Sequence, residues 1–382
     1  MRLFISFLVI LFFVEHKGFS QIRYIELDSE YLEESRRVKL QLPRNYEKNK
    51  KKSYPVVFVF DADYLFEPVA GMVDYLSFWE EIPEAFVVGI IQGGHREQDM
   101  MIDEDQFLPV GPGEDFFDFI ELELMKYMDD NYRTTPLSIA IGHNQTANFA
   151  NFFVFKKVPL FQAYINISPH FTPKMSSRMA KSLDNSKNRT WFYLANGTDE
   201  VKDVKKDIKD FAMAMNVIKN PLLTFTYDEF KGATHYTVVS QAIPVALEKI
   251  FATYQPITTK EFDEVLLVTP DLVNYLENKY ADISTYYGLN INYRINDIMY
   301  VLRAIEETNN WDQLLPLAKL AKSAHPDTML DSYFRARYYQ EKGEPKKALK
   351  HYQDAYGFDE VGYLTKELML IRADEIKEVF GY

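Results

Sequence analysis

The sequence SIAIGHNQTANFA, residues 138–150, contains the features that decide the fold. Its first part is a short, largely apolar run, which is typical of a strand buried on both faces of a parallel sheet. A sharp turn follows at Gly142, where glycine permits a strand and the next helix to approach closely. The residues after Asn144 are compatible with a helix. The stretch therefore predicts a strand that turns directly into a helix.

The same stretch partly matches a motif with a chemical role. Hydrolases present a nucleophilic serine at such a turn in the pattern Gly-x-Ser-x-Gly. Here Asn144 occupies the serine position and Thr146 occupies the second glycine position. An amide nitrogen is not nucleophilic, because its lone pair is delocalised into the carbonyl. The stretch is either a hydrolase turn without its nucleophile or a chance match. Other catalytic residues elsewhere in the chain would favour the first interpretation.

Composition excludes several classes of function. The chain has 382 residues, of which 47% are apolar, so a large core and more than one domain are expected. A net charge of −13 disfavours nucleic-acid binding, and the basic run at residues 48–52 is predicted to be a solvated loop. Cysteine is absent and no short paired-histidine motif is present, so no cofactor or metal site is predicted.

Residues 1–20 have the pattern of a secretory signal peptide. A positive charge precedes the apolar run at residues 3–14, and the small residues Gly18 and Ser20 precede a cleavage point before Gln21. The run is shorter than the roughly 20 residues that span a bilayer. We therefore expect an exported protein, periplasmic or extracellular, without stable membrane insertion.

Alternating strand and helix patterns fill residues 21–254. A helix-length stretch covers residues 115–131, with apolar residues spaced to face a core. Alternation of this kind predicts a layered α/β fold with a mostly parallel sheet. Strands are predicted at residues 22–27, 38–42, 56–60, 86–91, 137–141, 164–167, 191–195 and 223–227.

The pattern changes to helices alone after a predicted linker at residues 255–264. Pro326 and Gly343 fall where a repeat of about 34 residues would end and turn, and a closing helix is predicted at 364–380. Residues 255–382 therefore resemble a linker followed by tetratricopeptide-like repeats. A plain helical bundle is the alternative. In either case these helices are the expected contact surface for a protein or peptide partner.

Two further residues have the order that a catalytic triad requires, which is nucleophile, acid, histidine. Asp199 follows a predicted strand, and ligand-binding residues gather at the carboxyl ends of strands in open α/β sheets. His235 lies in a loop after the next strand, and a histidine oriented by a carboxylate acts as a general base. Taken singly, Asp199 could be a helix cap and His235 a loop histidine. Their order relative to Asn144 favours a hydrolase site.

Residues 36–254 resemble the putative-esterase family of α/β hydrolases, which includes enterobactin-type siderophore esterases, esterase D-like and feruloyl-esterase-like proteins. The resemblance implies a doubly wound, mostly parallel sheet and ester hydrolysis through a Ser-acid-His triad. The stretches that carry it are YPVVFVFDADYLF, FVVGIIQGGHREQDM, GEDFFDFIELELMKYMDDNYRT, SIAIGHNQTANFA, YINISPHF and GATHYTVV.

The resemblance also implies roles for individual residues. His235 matches the family histidine, and Asn144 matches the serine. Asp199 matches the acid, with Glu200 as the alternative if the loop is shifted by one residue. The turn at Asn144, which we call the elbow, departs from the family pattern, because Thr146 and Ala147 replace two glycines.

The oxyanion donors of the family map to backbone N–H groups near Ala62 or Asp63 and at Gln145. Walls of an ester- or acyl-shaped pocket are expected from the aromatic residues Tyr64, Phe66 and Phe107.

Two hypotheses follow. In the first, the chain binds a small ester- or acyl-like ligand without cleaving it, and Asn144 hydrogen-bonds the ligand. In the second, it is an active carboxylic-ester hydrolase that uses another hydroxyl, such as Thr146 or Ser168, or a water molecule activated by His235.

Overall fold

The computed structural model describes residues 22–381. Eight strands form one sheet in the order β1-β2-β4-β3-β5-β6-β7-β8. The strands are β1 (Ile22–Ser29), β2 (Glu34–Gln41), β3 (Tyr54–Val59), β4 (Phe86–Ile90), β5 (Thr134–His143), β6 (Ala163–Ile167), β7 (Thr190–Asp199) and β8 (Leu223–Thr234).

The sheet is mostly parallel. Strands β1, β2 and β4 pair antiparallel at one edge, and every other neighbouring pair is parallel. The central strands β3, β4 and β6 are buried along their whole length, which explains why their sequences are continuous apolar runs. The predicted α/β-hydrolase fold is confirmed, and each predicted strand overlaps an observed one.

Helices follow most strands and then continue alone to the C-terminus. A π-helical turn at Phe119–Leu124 joins α3 to α4, so that one continuous helical segment covers the stretch predicted at 115–131. The α-helices are α1 (Phe66–Phe78), α2 (Arg96–Asp99), α3 (Pro112–Asp118), α4 (Met125–Asn131), α5 (Gln145–Ala150), α6 (Met175–Asp184), α7 (Lys202–Asn216), α8 (Val238–Ile250), α9 (Thr259–Glu264), α10 (Leu272–Tyr287), α11 (Ile295–Thr308), α12 (Leu314–Ala324), α13 (Leu330–Glu341), α14 (Pro345–Ala355) and α15 (Lys366–Phe380).

Each face of the sheet carries its own apolar core. On one face, α1, α8 and the C-terminal helices share a single continuous cluster with the sheet. On the other face, α3, α6 and α7 pack against alternate residues of the same strands. Successive side chains of a strand point to opposite faces of the sheet, so each apolar strand contributes residues to both cores.

The C-terminal helices pack directly on the sheet. The ring of Tyr287 in α10 stacks on Trp191 of β7 at 5.7 Å between centroids, and its hydroxyl donates to the Ile250 carbonyl at 2.9 Å. The segment predicted as a linker is not an open tether, because Ile257 and Phe262 are buried and α9 forms within it. The apolar side chains in that segment are part of the shared core. The division into residues 21–254 and 255–382 stays a prediction, and the shared core favours joint unfolding of the two regions.

The helical character of the C-terminal region is confirmed. Gly343 has φ 72° at the turn between α13 and α14, and α15 occupies the position predicted for a closing helix. The assignment of these helices to tetratricopeptide-like repeats stays a prediction. The predicted signal peptide lies outside the described residues. Among residues 22–381, no helix combines the length and apolar character needed to cross a membrane.

Candidate active site

Asn144 lies at the apex of a strained turn between β5 and α5. Its backbone angles are φ 60° and ψ −121°, which non-glycine residues rarely adopt and which persist only when the surroundings enforce them. The turn is tight, because a Cβ placed on Gly142 would lie 2.5 Å from the Ala147 backbone nitrogen. The Asn144 carbonyl accepts the His170 backbone N–H at 3.2 Å. Within residues 22–381 its side-chain amide has no hydrogen-bond partner, so the amide is available to a ligand.

Glu200 and His235 form the acid–base pair. The Nδ1 atom of His235 lies 2.9 Å from Glu200 Oε1, and that oxygen also accepts the Val201 backbone N–H at 2.8 Å. The Glu200 side chain is fully buried and that of His235 is 14% exposed. Asp199 is exposed at the end of β7 and contacts Thr198 instead. The carboxylate beside the imidazole is therefore Glu200, the one-residue alternative to Asp199.

His143 connects the turn at Asn144 to the loop that carries His235. Its Nε2 atom lies 2.9 Å from the His235 carbonyl oxygen and donates to it, so Nδ1 accepts from the Tyr64 hydroxyl, also at 2.9 Å. Burial lowers the pKa of His143. Burial, assisted by the Asp61 carboxylate, raises the pKa of Tyr64, which keeps its proton. This chain of hydrogen bonds fixes the loop of His235 against the residue that precedes Asn144.

A buried carboxylate, Asp61, supports the other side of the turn. The Arg96 guanidinium donates to both of its oxygens, at 2.6 and 3.1 Å, and the Thr146 hydroxyl lies 3.0 Å from Oδ2. A further Arg96 nitrogen donates to Gln145 Oε1 at 2.8 Å. Asp61 itself has φ 53°. Arg96 therefore links Gln145, the residue after Asn144, to Asp61 in the segment after β3.

The backbone N–H groups expected to hold an oxyanion differ in whether they already have a hydrogen-bond partner. The Ala62 N–H is committed to the Ile90 carbonyl at 3.1 Å and is not available. The N–H groups of Asp63 and Gln145 have no hydrogen-bond partner within the described part of the chain, and Gln145 is the first residue of α5. Of the expected donors, the N–H groups of Asp63 and Gln145 are therefore the ones free to bind a carbonyl oxygen.

Comparisons with known proteins agree with this geometry. The family model described as "Putative esterase" matches residues 29–249, more than half of the chain. The chain belongs to this esterase family. No curated protein matches it significantly.

Solved structures extend the likeness beyond the esterase region. An uncharacterised protein from Capnocytophaga ochracea DSM 7271 is 28% identical with a TM-score of 0.84, over 94% of this chain and 100% of that one. This coverage includes the C-terminal helices. An IroE-like serine hydrolase from Shewanella oneidensis shares the fold at 19% identity and a TM-score of 0.60, covering 79% and 99% of the two chains. The BES protein from Bacillus cereus does so at 20% identity and a TM-score of 0.52, covering 60% and 95%.

The aromatic residues expected around the esterase pocket differ in where the structure places them. Tyr64 is 47% exposed and contacts His143, as described. Phe66 is fully buried, because α1 directs its ring into the core close to Gly89. Phe107 lies in the loop before α3, where its carbonyl accepts from Arg178 of α6. Phe66 was therefore wrongly predicted as a pocket wall, and the role of Phe107 stays a prediction.

The other hydroxyls considered as nucleophiles are inaccessible in this esterase-family chain. The Thr146 side chain is fully buried and its hydroxyl contacts both Asp61 and the His143 carbonyl. Ser168 is fully buried as well. Neither hydroxyl is exposed to a substrate at the turn.

Sequence reasoning missed the supporting contacts made by Asp61, Arg96 and Tyr64. Arg96 is distant in sequence from both of its partners, and no spacing in the chain links them. Among residues 22–381, no cluster of three or more histidine or acidic side chains is arranged to hold a metal ion.

Proposed function

We propose that this chain is an exported, non-catalytic member of the esterase family that binds a small ester- or acyl-like molecule at Asn144. One observation carries the proposal. The strained elbow presents an asparagine at its apex, beside an intact Glu200–His235 pair. The scaffold that normally exposes a nucleophile thus exposes a side chain that can hydrogen-bond a ligand but cannot attack it.

The surrounding groups suit recognition of a carbonyl compound. The N–H groups of Asp63 and Gln145 can donate to the carbonyl oxygen. The Asn144 amide both donates and accepts, so it can pair with an ester oxygen or a hydroxyl. His235 Nε2 has no protein partner within residues 22–381 and is available to the ligand as well. Together these groups would offer hydrogen bonds to a bound ester without supplying a nucleophile.

Export rests on the pattern of residues 1–20. A protein purified from its native host is expected to begin at or near Gln21 by N-terminal sequencing. A cytosolic protein that retains Met1 would contradict export. The C-terminal helices are proposed as the surface for a protein or peptide partner, since they extend the fold beyond the esterase region.

Binding without cleavage can be measured directly. Short-chain aryl esters are titrated into the mature protein by calorimetry, and the ester is then recovered and quantified by chromatography. We expect binding with the ester intact, weakened by Asn144→Ala and by His235→Ala. Asp199→Ala is the matched control, because that residue is exposed and next in sequence to Glu200. Failure of every ester in the panel to bind would contradict the proposal.

Hydrolysis by activated water is the second candidate, and the Glu200–His235 hydrogen bond favours it. A retained acid–base pair can deprotonate a water molecule placed over a bound carbonyl. The same recovery experiment separates the two candidates. Ester consumption that is lost in both His235→Ala and Glu200→Ala, but kept in Asp199→Ala, would establish hydrolysis in place of binding alone.

A further inference from the structure

A concave surface lies near the amino ends of the parallel strands, whereas Asn144 lies at their carboxyl ends. It reaches Tyr164, near the start of β6, and Thr190, at the start of β7, whereas Asn144 follows the end of β5. Its volume is about 820 Å³. This volume falls within the range of about 300–1,000 Å³ that is usual for small-molecule sites. We call it the basic groove.

The charge of the basic groove opposes that of the chain, which has a net charge of −13. Lys156 is paired with Glu121 at 2.6 Å. Lys157, Lys181 and Lys187 make no ion pair with any residue between 22 and 381. No acidic residue lines the groove, and its cationic lining consists of Lys156, Lys157, Arg178, Lys181 and Lys187.

One wall of the basic groove is fixed in place by Arg178. Its guanidinium donates to the carbonyl oxygens of Phe107 and Gln106, at 2.9 and 2.6 Å. These bonds hold the loop that carries Leu108 against α6, so Leu108 forms part of the lining. Because Arg178 is occupied by the loop, the three unpaired lysines are the groups left to meet a ligand charge.

The rest of the lining combines uncharged polar residues (Ser182, Asn185, Ser186, Asn188 and Thr190) with apolar and aromatic ones, which are Leu108, Val154, Phe155, Pro159, Tyr164 and Leu183. A small inorganic anion would leave the apolar side chains unused, and a neutral apolar molecule would leave the lysines without a partner. We propose that the basic groove binds an amphipathic organic anion, a carboxylate carried on an aryl or alkyl body. The apolar body would lie on the wall and the carboxylate would meet Lys157, Lys181 and Lys187.

A charge-matched pair of ligands tests the chemistry. Naphthalene-2-carboxylate and its neutral carboxamide share one apolar body, and each is titrated into the full mature chain by calorimetry at low and high salt. The carboxylate is expected to bind about tenfold more tightly at low salt, with the difference reduced as salt screens the lysines. Equal affinity for the two compounds, or no carboxylate binding, would overturn the proposal. Competition by inorganic phosphate as strong as by benzoate would overturn the amphipathic class.

A matched pair of variants tests the location. Lys157→Gln, Lys181→Gln and Lys187→Gln together should weaken carboxylate binding about tenfold, since each exposed charge contributes a small increment. The control carries Lys48→Gln, Lys51→Gln and Lys350→Gln, which remove the same charge from exposed positions outside the groove. Leu108→Ser should weaken the carboxylate but leave phosphate unaffected. Equal losses in both triple variants would show that net charge, and not the groove, binds the ligand.

Discussion

At the scale of single residues, the turn after β5 presents an asparagine at its apex and is held by a set of buried hydrogen bonds. Asn144 occupies the position at which the family resemblance implies a serine, and hydrogen bonds hold His235 to Glu200 and to His143. A buried carboxylate with its guanidinium partner is costly to disrupt, because removal of one charge leaves the other unpaired. Substitutions of Asp61 and of His143 therefore test whether these contacts hold the turn in place.

Asp61→Asn should lower the free energy of unfolding by about 2 kcal/mol, because Arg96 and Thr146 lose a charged acceptor. Asparagine tolerates the positive φ of this position, so backbone strain does not contribute to the change. Asp199→Asn, at an exposed aspartate, should change stability by less than about 0.5 kcal/mol. Chemical denaturation of the two variants measures the difference. Equal stability of both variants would show that the Arg96–Asp61 contact does not hold the turn.

His143 should make stability depend on pH. Burial lowers its folded-state pKa below 6.5, so the unfolded chain binds the proton first as the pH falls. The contribution is present above pH 6.5 and is lost progressively below it, down to the folded-state pKa. The stability advantage of wild type over His143→Gln should therefore shrink between pH 7.5 and 5.5, as followed by thermal unfolding. An advantage that grows on acidification would mean that His143 is charged in the folded protein.

At the scale of elements, the turn between β5 and α5 depends on how closely a strand can approach the helix that follows it. The first glycine of the motif is retained because a Cβ there would meet the backbone of the helix. Thr146 occupies the second glycine position. Its hydroxyl donates to Asp61, and this hydrogen bond holds the start of α5 against the segment after β3.

Gly142→Ala should destabilise the protein by about 3 kcal/mol or more, because its Cβ would lie 2.6 Å from the Ala147 Cα. The matched control is Gly71→Ala in α1, where no atom lies within 4 Å of the added Cβ. There the change should be neutral or stabilising by about 0.5–1 kcal/mol, since alanine favours a helix over glycine. Thermal unfolding of both variants gives the comparison, and similar losses in the two would refute the close approach at the turn.

The sequence was sufficient to predict the strands and the elbow, because buried parallel strands and sharp turns have local signatures. It could not decide between Asp199 and Glu200, since a shift of one residue at the end of β7 reverses which carboxylate faces the imidazole. It also placed a linker at residues 255–264, because polar residues there obscure the two apolar side chains that reach the core. Contacts between distant segments, such as Arg96 with Asp61, leave no local pattern.

At the scale of the whole molecule, the helical region and the esterase region share one apolar core. Tyr287 connects them by stacking on Trp191 and by a hydrogen bond to Ile250. Because the apolar core continues from one region into the other, we expect a single cooperative unfolding transition and not two separate ones.

Tyr287→Ala should therefore destabilise the whole chain by about 3–5 kcal/mol, the usual loss for a buried aromatic side chain. Calorimetry should show one transition that moves to a lower temperature. Tyr356→Ala is the control, because that ring is 48% exposed and its removal should have little effect. Two resolved transitions, of which only one moves, would show that the regions unfold independently.

The central claim, that the elbow keeps the Glu200–His235 pair but lacks a nucleophile, is tested by ester turnover in Asn144→Ser. The hydroxyl would lie at the apex beside the Glu200–His235 pair, with the Asp63 and Gln145 N–H groups as oxyanion donors. We expect wild type to show no turnover that depends on His235, and Asn144→Ser to hydrolyse short-chain aryl esters at least about 10²-fold faster. The added substitution His235→Ala should abolish this gain. Wild-type hydrolysis that His235→Ala removes, with no gain in Asn144→Ser, would contradict the account.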